Sequence, residues 1–308
     1  STYKNQNSKD NSYICGKFLY NVNMESNSIS IRIKNSLLSL SSPIVMGILN
    51  ITPDSFYTES RVNSEERIIA RVKTILEEGG TIIDIGGYST RPFAAVVSEK
   101  EEMKRLVRAL SIIRKYFPNS ILSVDTYRAN IADQVIREFG VDIINDISGG
   151  ELDPHMDKVI AYHHVPYILM HMKGTPQTMQ QFTTYKNLVQ EITLFFAQRI
   201  QRLSELGVND IVLDPGFGFA KTTAQNFELL EHLSEFLFFE RPLLVGLSRK
   251  SMLFKTLNTD AEHSLPATIA ANTIALMGGA SILRVHDVKE AIQVITIYEN
   301  TCAYSSIE

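Results

Sequence analysis

Residues 46–56 read MGILNITPDSF: an apolar run that begins at Ile44 stops abruptly at Asn50, and a Thr-Pro-Asp-Ser turn follows. A strand buried on both faces reads as a near-continuous apolar run, so this stretch is a buried strand that delivers a polar side chain to its carboxyl end. The same grammar recurs down the chain. Apolar runs stand at 44–49 (IVMGIL), 82–86 (IIDIG), 121–125 (ILSVD), 143–146 (IIND), 166–171 (PYILMH), 210–214 (DIVLD), 243–247 (LLVGL) and 281–285 (SILRV), which predicts eight strands. Between them, segments 64–78, 99–116, 128–139, 188–206, 224–236, 266–277 and 288–304 carry apolar residues three and four apart and fit amphipathic helices, with 154–162 a weaker candidate. Gly79, Gly140, Gly207 and Gly278 stand at helix ends, where a left-handed cap is wanted.

Strands that are each followed by a helix point to an all-parallel sheet closed on itself, an α/β (β/α)8 barrel; a doubly wound open sheet is the alternative. Ahead of it, ISIRI (29–33) and SLLSL (36–40) alternate as the strands of a hairpin, with Asn35 at its turn. This N-terminal β-hairpin extension is expected to cover the amino-terminal mouth of the barrel. Residues 1–28 form a leader expected to be partly disordered, since its first dozen residues are polar and nearly without apolar anchors, and 29–308 form the barrel domain.

The chain of 308 residues is 44% hydrophobic and 21% charged, enough for a large core. A formal charge of −4 and a pI near 6.0 leave no basic footprint for nucleic acid or for a membrane surface. No run is apolar enough to span a bilayer and no signal-peptide pattern opens the sequence. Cys15 and Cys302 form neither a disulfide framework nor a metal cluster, so a cytoplasmic location is expected.

Barrels of this class build their active sites at the carboxyl ends of the strands. Those ends carry Asn50; Gly86 and Gly87; Asp125; Asn145 and Asp146; His171; Asp214; Ser248, Arg249 and Lys250; and Arg284 with His286. Asp125, Asn145 and Asp214 are acceptors that suit a flat heterocycle with several N–H donors on its edge. Lys250, Arg284 and His286 are donors that, with Asn50, suit a phosphate or pyrophosphate. A blander reading stands beside each residue: Asp125 before Thr126 could be a helix cap, Gly216 and Gly218 could serve a tight loop, His163 and His164 are structural, and Met170, Met172 and Met179 are core or pocket wall. Convergence on one mouth favours the functional reading, because independent caps need not converge.

The segments MGILNITPDSF (46–56), IIDIGGYSTRP (82–92), LSVDTYRA (122–129), IINDISGG (143–150), LMHMKGTPQTM (169–179), LDPGFGFAKT (213–222), LVGLSRKSM (244–252) and ILRVHDV (282–288) closely resemble the dihydropteroate synthase family, in order and in spacing. The resemblance implies condensation of 6-hydroxymethyl-7,8-dihydropterin pyrophosphate with 4-aminobenzoate to give 7,8-dihydropteroate and pyrophosphate, in folate biosynthesis. It implies that Asp125, Asn145, Asp214 and Lys250 grip the pterin, that Arg284 and His286 clamp the pyrophosphate, and that Asn50 ligates an assisting Mg2+. Thr90, Arg91, Pro92, Phe219 and Ser251 match positions near the aminobenzoate. It also implies a homodimer; the apolar cluster Phe236, Leu237, Phe238 and Phe239 is a candidate for its interface, the alternative being core.

The chain departs from the family pattern in two loops. Thr58 stands where a first-loop aspartate is usual, with Glu59 beside it; Tyr88 replaces a glutamate and Phe93 a glycine in the second loop. Phe93 is expected to reshape the pocket for sulfonamides, which mimic aminobenzoate but project beyond it. Two other functions remain to be weighed: a methyltetrahydrofolate:corrinoid methyltransferase, and a barrel that binds pterin without turnover.

Overall fold

The structure, a computed structural model, describes residues 29–51, 61–88 and 97–305, by backbone alone at 61–64, 304 and 305. The leader and the expectations placed on Thr58, Glu59, Thr90, Arg91, Pro92 and Phe93 lie outside the described residues.

A two-stranded antiparallel hairpin, β1 (Ser30–Ile33) and β2 (Ser36–Ser39), turns at Lys34 and Asn35, with Lys34 in the left-handed region at φ 53°. Eight parallel strands follow in one sheet: β3 (Ile44–Asn50), β4 (Ile82–Gly86), β5 (Ile121–Asp125), β6 (Ile143–Asp146), β7 (Tyr167–Met170), β8 (Ile211–Asp214), β9 (Leu244–Val245) and β10 (Ile282–Val285). Their order is β8-β7-β6-β5-β4-β3-β10-β9, and the parallel bridge Leu213↔Leu243 closes the ring. The predicted (β/α)8 barrel is the fold, and the open sheet is excluded.

Helices α1 (Arg61–Glu77), α2 (Glu99–Tyr116), α3 (Ala129–Phe139), α4 (Met156–His163), α5 (Leu188–Glu205), α6 (Thr223–Glu231), α7 (Ser251–Thr256), α8 (Leu265–Met277) and α9 (Val288–Ser305) connect and flank the strands. Local chemistry sets their ends. Ser98 caps α2 by accepting from the Glu101 N–H, and acids in its first turn and bases in its last complement the helix dipole. Thr222 and Gln225 form a reciprocal capping box on α6.

Three local expectations are corrected. Of the run 243–247 only Leu244–Val245 is a strand, with Leu243 joined by its single bridge to Leu213, because the chain then turns: the Lys250 N–H donates to Leu247 O at 3.1 Å and Arg249 adopts φ 56°. The helix expected over 224–236 ends at Glu231 and continues as a 3-10 segment, Leu233–Phe239. The left-handed residue after α8 is Gly279 at φ 94°, whereas Gly278 remains right-handed at φ −81°.

Because strand side chains alternate between faces, every second residue points into the barrel. Met46, Ile82, Ile143, Ile168, Val212, Leu244 and Ile282 make a dry floor, and Ile31, Ile33 and Leu40 of the hairpin seal it from below. Lys34 reinforces the seal by pairing with Asp142 at 3.1 Å, and the Arg32 N–H by donating to Asp210 at 2.9 Å. Intervening residues such as Val45, Ile83, Val124 and Leu213 face the helices in the main core. With the floor closed, a ligand has the opposite mouth to enter by. No helix among the described residues is long and apolar enough to cross a membrane.

Candidate active site

Two residues up from the apolar floor, the inward positions of four strands become polar. Ile82 is followed by Asp84, Ile143 by Asn145, Val212 by Asp214 and Ile282 by Arg284. The strand register aligns Asn50, Gly86, Asp125 and Asn145 as successive neighbours across four strands, which brings their side chains to one rim.

Arg284 ties the rim together. Its Nε donates to Asp84 Oδ2 at 2.6 Å and its Nη2 to Asp125 Oδ2 at 3.0 Å. Burial acts to lower the guanidinium pKa, but Asp84 and Asp125 outweigh it and hold Arg284 above its ordinary value. Burial pushes Asp125 up to about 7; Arg284 opposes this, while Asp84 and Glu102 add to it. Asp125 caps no helix, since α3 begins after Arg128. Its other oxygen lies 3.4 Å from the hydroxyl of Tyr88, whose ring meets Tyr127 edge-on.

Asp214 and Lys250 form the second half. Asp214 is raised by burial, against the pull of Lys250 and of the Gly216 N–H, which donates to Oδ1 at 2.8 Å. Burial also brings Lys250 down to about 8, with Asp214 opposing. The Lys250 ammonium donates to Phe217 O and sits 4.9 Å from the centre of the Phe219 ring, so the expected pterin and aminobenzoate residues meet here. The left-handed Arg249 helps aim Lys250 inward: its guanidinium grips Asp287 at 2.6 and 2.9 Å, and its N–H donates to Thr268 Oγ1 at 3.1 Å. Ser251 is exposed at the first position of α7.

His286 lies against Ser248, with Nδ1 and Oγ 3.1 Å apart. Ser248 Oγ also accepts from the His286 backbone N–H at 3.2 Å. When the Ser248 proton is donated to Nδ1, the imidazole carries its own proton on Nε2. Burial and then Arg284 lower the imidazole to about 4, so at neutral pH it is an uncharged donor. Arg71 of α1 fixes the adjoining backbone by donating to His286 O at 2.6 Å and to Ile48 O at 3.2 and 3.3 Å.

Not every strand end joins the site. Asp146 turns into its own loop, accepting from Ser148 N and Oγ at 2.7 Å, Gly150 N at 2.9 Å and Tyr167 Oη at 2.7 Å. His171 is buried against Phe195 and 3.2 Å from Lys221 Nζ. Lys221 also donates to Gly216 O at 2.9 Å and Phe219 O at 3.0 Å, stapling the loop that carries Phe217 and Phe219. His163 is structural as expected, 2.8 Å from Asp133, and Met170, Met172 and Met179 join Ile147 and Ala220 in a buried cluster flanked by Tyr88 and Phe219.

Asp84 and Lys221 went unrecognised in the sequence. An acid inside the apolar run IIDIG, in phase with Ile82, was a legible signal for the first. The sequence of the 213–222 loop gave none for the second.

Gly216 belongs to the loop rather than to a ligand: at φ 74°, an added Cβ would stand 2.1 Å from His171 O. Gly216→Ala is therefore expected to cost more than ~1 kcal/mol through the left-handed backbone alone. Displacing the N–H that holds Asp214 should lower affinity for the pterin that the family resemblance implies roughly tenfold. Calorimetric melting and pterin titration of the variant would check both effects.

Among the described residues no group of three or more His, Cys, Asp or Glu side chains could hold a metal. Asn50 offers one amide oxygen, 3.5 Å from where a Cβ on Gly86 would be, at the rim shared with Asp125. One hard oxygen suits Mg2+ that arrives with a diphosphate and keeps water in its shell, so the donor set fits that ion without a protein cage.

The profile of the pterin-binding enzymes matches residues 46–286. A dihydropteroate synthase from Synechocystis is 44% identical over 256 residues, covering 82% of this chain and 88% of that protein. The Yersinia pestis dihydropteroate synthase, solved with a sulfonamide drug complex, superposes with a TM-score of 0.83 at 42% identity, covering 89% of this chain and all of that one. The Thermus thermophilus dihydropteroate synthase in complex with 4-aminobenzoate gives a TM-score of 0.78 at 32% identity over 88% of this chain and 99% of that one. Barrel, polar rim and relatives agree: this chain belongs to the dihydropteroate synthase family of pterin-binding enzymes.

Proposed function

We propose that the protein condenses 6-hydroxymethyl-7,8-dihydropterin pyrophosphate with 4-aminobenzoate, forming 7,8-dihydropteroate and pyrophosphate in folate biosynthesis. The observation that carries this is the rim itself, where acids Asp125 and Asp214 stand beside the cations Arg284 and Lys250 at the mouth of a closed barrel. Asp125, Asn145, Asp214 and Lys250 hold the pterin. Arg284 and His286 donate to the pyrophosphate with Asn50 beside them, while Phe219 and Ser251, with Thr90, Arg91 and Pro92 of the second loop, hold aminobenzoate.

The chemistry is largely electrostatic. The bond between the pterin methylene and its oxygen breaks, and the electron pair leaves with pyrophosphate; the arylamine nitrogen then bonds to the methylene and loses a proton. Arg284 meets negative charge growing on the leaving group, and Asp125 and Asp214 meet positive charge spreading over the ring. Mg2+ held at Asn50, when bound, would add charge neutralisation on the diphosphate. The substrate's own amine is the nucleophile, so no activated serine or cysteine is required.

The ionisations set a pH window. Asp125 acts as an anion only above its value of about 7, and Lys250 as a cation only below its value of about 8. kcat/KM should therefore peak between these values and fall on both sides, by about tenfold per pH unit well outside them. Asp125→Asn should abolish the acid limb; a limb unchanged in that variant would assign the titration elsewhere.

The same reading makes the protein a cytoplasmic homodimer. Of the expected apolar cluster, Phe236 is buried core and Leu237 and Phe239 pack partly against that core, but Phe238 is 83% exposed, and Ile274 and Met277 of α8 are also open. A dimer would cover such apolar surface. Neither the methyltransferase nor the turnover-free barrel gains support from the relatives. Incubation with the pterin pyrophosphate, aminobenzoate and Mg2+ separates the three readings: dihydropteroate and pyrophosphate in equal amounts are expected, and pterin binding without dihydropteroate would refute catalysis.

A further inference from the structure

Asp84 is fully buried one layer below the rim and accepts hydrogen bonds from three other strands. Oδ1 accepts from Ser123 Oγ at 2.7 Å; Oδ2 accepts from Asn145 Nδ2 at 3.2 Å and from Arg284 Nε at 2.6 Å. We infer that Asp84 is a positioning residue, which sets the direction in which the Asn145 amide and the Arg284 guanidinium face the substrate. The inference rests on the pterin-binding reading of the mouth.

Hydrogen-bond polarity sets both orientations. A carboxylate paired with a guanidinium can only accept, so only the NH2 end of the Asn145 amide can face it. The Asn145 Oδ1 accepts from no described residue, which leaves it as an acceptor for a ring N–H of the ligand. Turned over, the amide would set its oxygen against the Asp84 carboxylate and offer N–H groups to a ring edge that is itself a donor. Asp84 does the same for Arg284: with Nε on Asp84 and Nη2 on Asp125, the guanidinium plane is fixed. Nη1 donates to no described residue and remains for an anion. One buried acid thus coordinates the acceptor that reads the pterin with the donor that meets the pyrophosphate.

A geometric role and a charge role separate by substitution. Asn at 84 can keep its oxygen on Asn145 and Arg284 and turn its NH2 to Ser123, preserving the geometry without the charge. Glu keeps the charge but moves the acceptors by a methylene. Ala removes both. We would titrate 6-hydroxymethylpterin, alone, into folded wild-type and variant protein by calorimetry, with melting curves as a check on folding. Affinity should fall on the order of 10–100-fold in Asp84→Ala and roughly tenfold or more in Asp84→Glu, and stay within about threefold of wild type in Asp84→Asn. If Ala does not fold, the Asn and Glu pair decides. Asn as weak as Ala, or Glu as strong as wild type, would overturn the positioning role. Failure of the wild type to bind the pterin would instead refute the parent reading and this inference with it.

Discussion

Arg284→Ala should be among the most damaging single changes in this protein, lowering stability by about 3–5 kcal/mol and turnover by roughly 10²–10³-fold. The two losses have one cause. Asp84 is fully buried and Asp125 nearly so, and both carboxylates are paired with this guanidinium. Removing it leaves their negative charge uncompensated in a low-dielectric site, and breaking a buried pair on one side costs more than the pair ever contributed. Pyrophosphate departure loses its preorganised donor in the same step. Arg284→Lys should recover part of the stability but little of the turnover, because a compact ammonium lacks the planar fork that reaches Asp84 and Asp125 from two separate nitrogens. Urea unfolding and steady-state kinetics of the two variants would test this; a folded Ala variant with near wild-type kcat would contradict it.

Asp214→Ala is the second large effect, with kcat/KM for the pterin substrate expected to fall roughly 10²–10³-fold. Asp214 is the acid that counters burial at Lys250, so its removal lowers the Lys250 pKa below the present value of about 8 and takes charge from the ammonium near neutrality. The variant therefore loses an acceptor for the pterin and weakens a donor together. Asp214→Asn keeps an acceptor for the Gly216 N–H and should lie between Ala and wild type. Equal kcat/KM in Asp214→Ala and wild type would show that the pterin does not use this end of the mouth.

Much of this architecture was legible before any coordinates. The repeated apolar run ending in a polar residue fixes the strand count, and the strand ends supply Asn50, Asp125, Asn145, Asp214, Lys250, Arg284 and His286. What the pattern could not show is which groups lie against one another. Arg284 reads in sequence as an anion clamp, yet in the fold it is first the partner of two carboxylates, through Nε and Nη2. Asp146 and His171 also occupy strand ends, but tertiary hydrogen bonds turn them into a loop and toward Lys221. The short β9 departs from its sequence for a related reason: LLVGL is apolar enough for a longer strand, but the Leu247–Lys250 turn that presents Lys250 takes its last residues out of the sheet.

The proposed step is loss of pyrophosphate from the pterin methylene at this mouth, so that an arylamine can replace it. It is tested most directly by placing oxygen-18 in the bridging position between that methylene and the diphosphate, and analysing both products by mass spectrometry after turnover with aminobenzoate and Mg2+. The account predicts dihydropteroate free of label and all the oxygen-18 in pyrophosphate. Label retained on hydroxymethyl pterin, with no dihydropteroate formed, would mean that the protein cleaves the diphosphate instead and would contradict it.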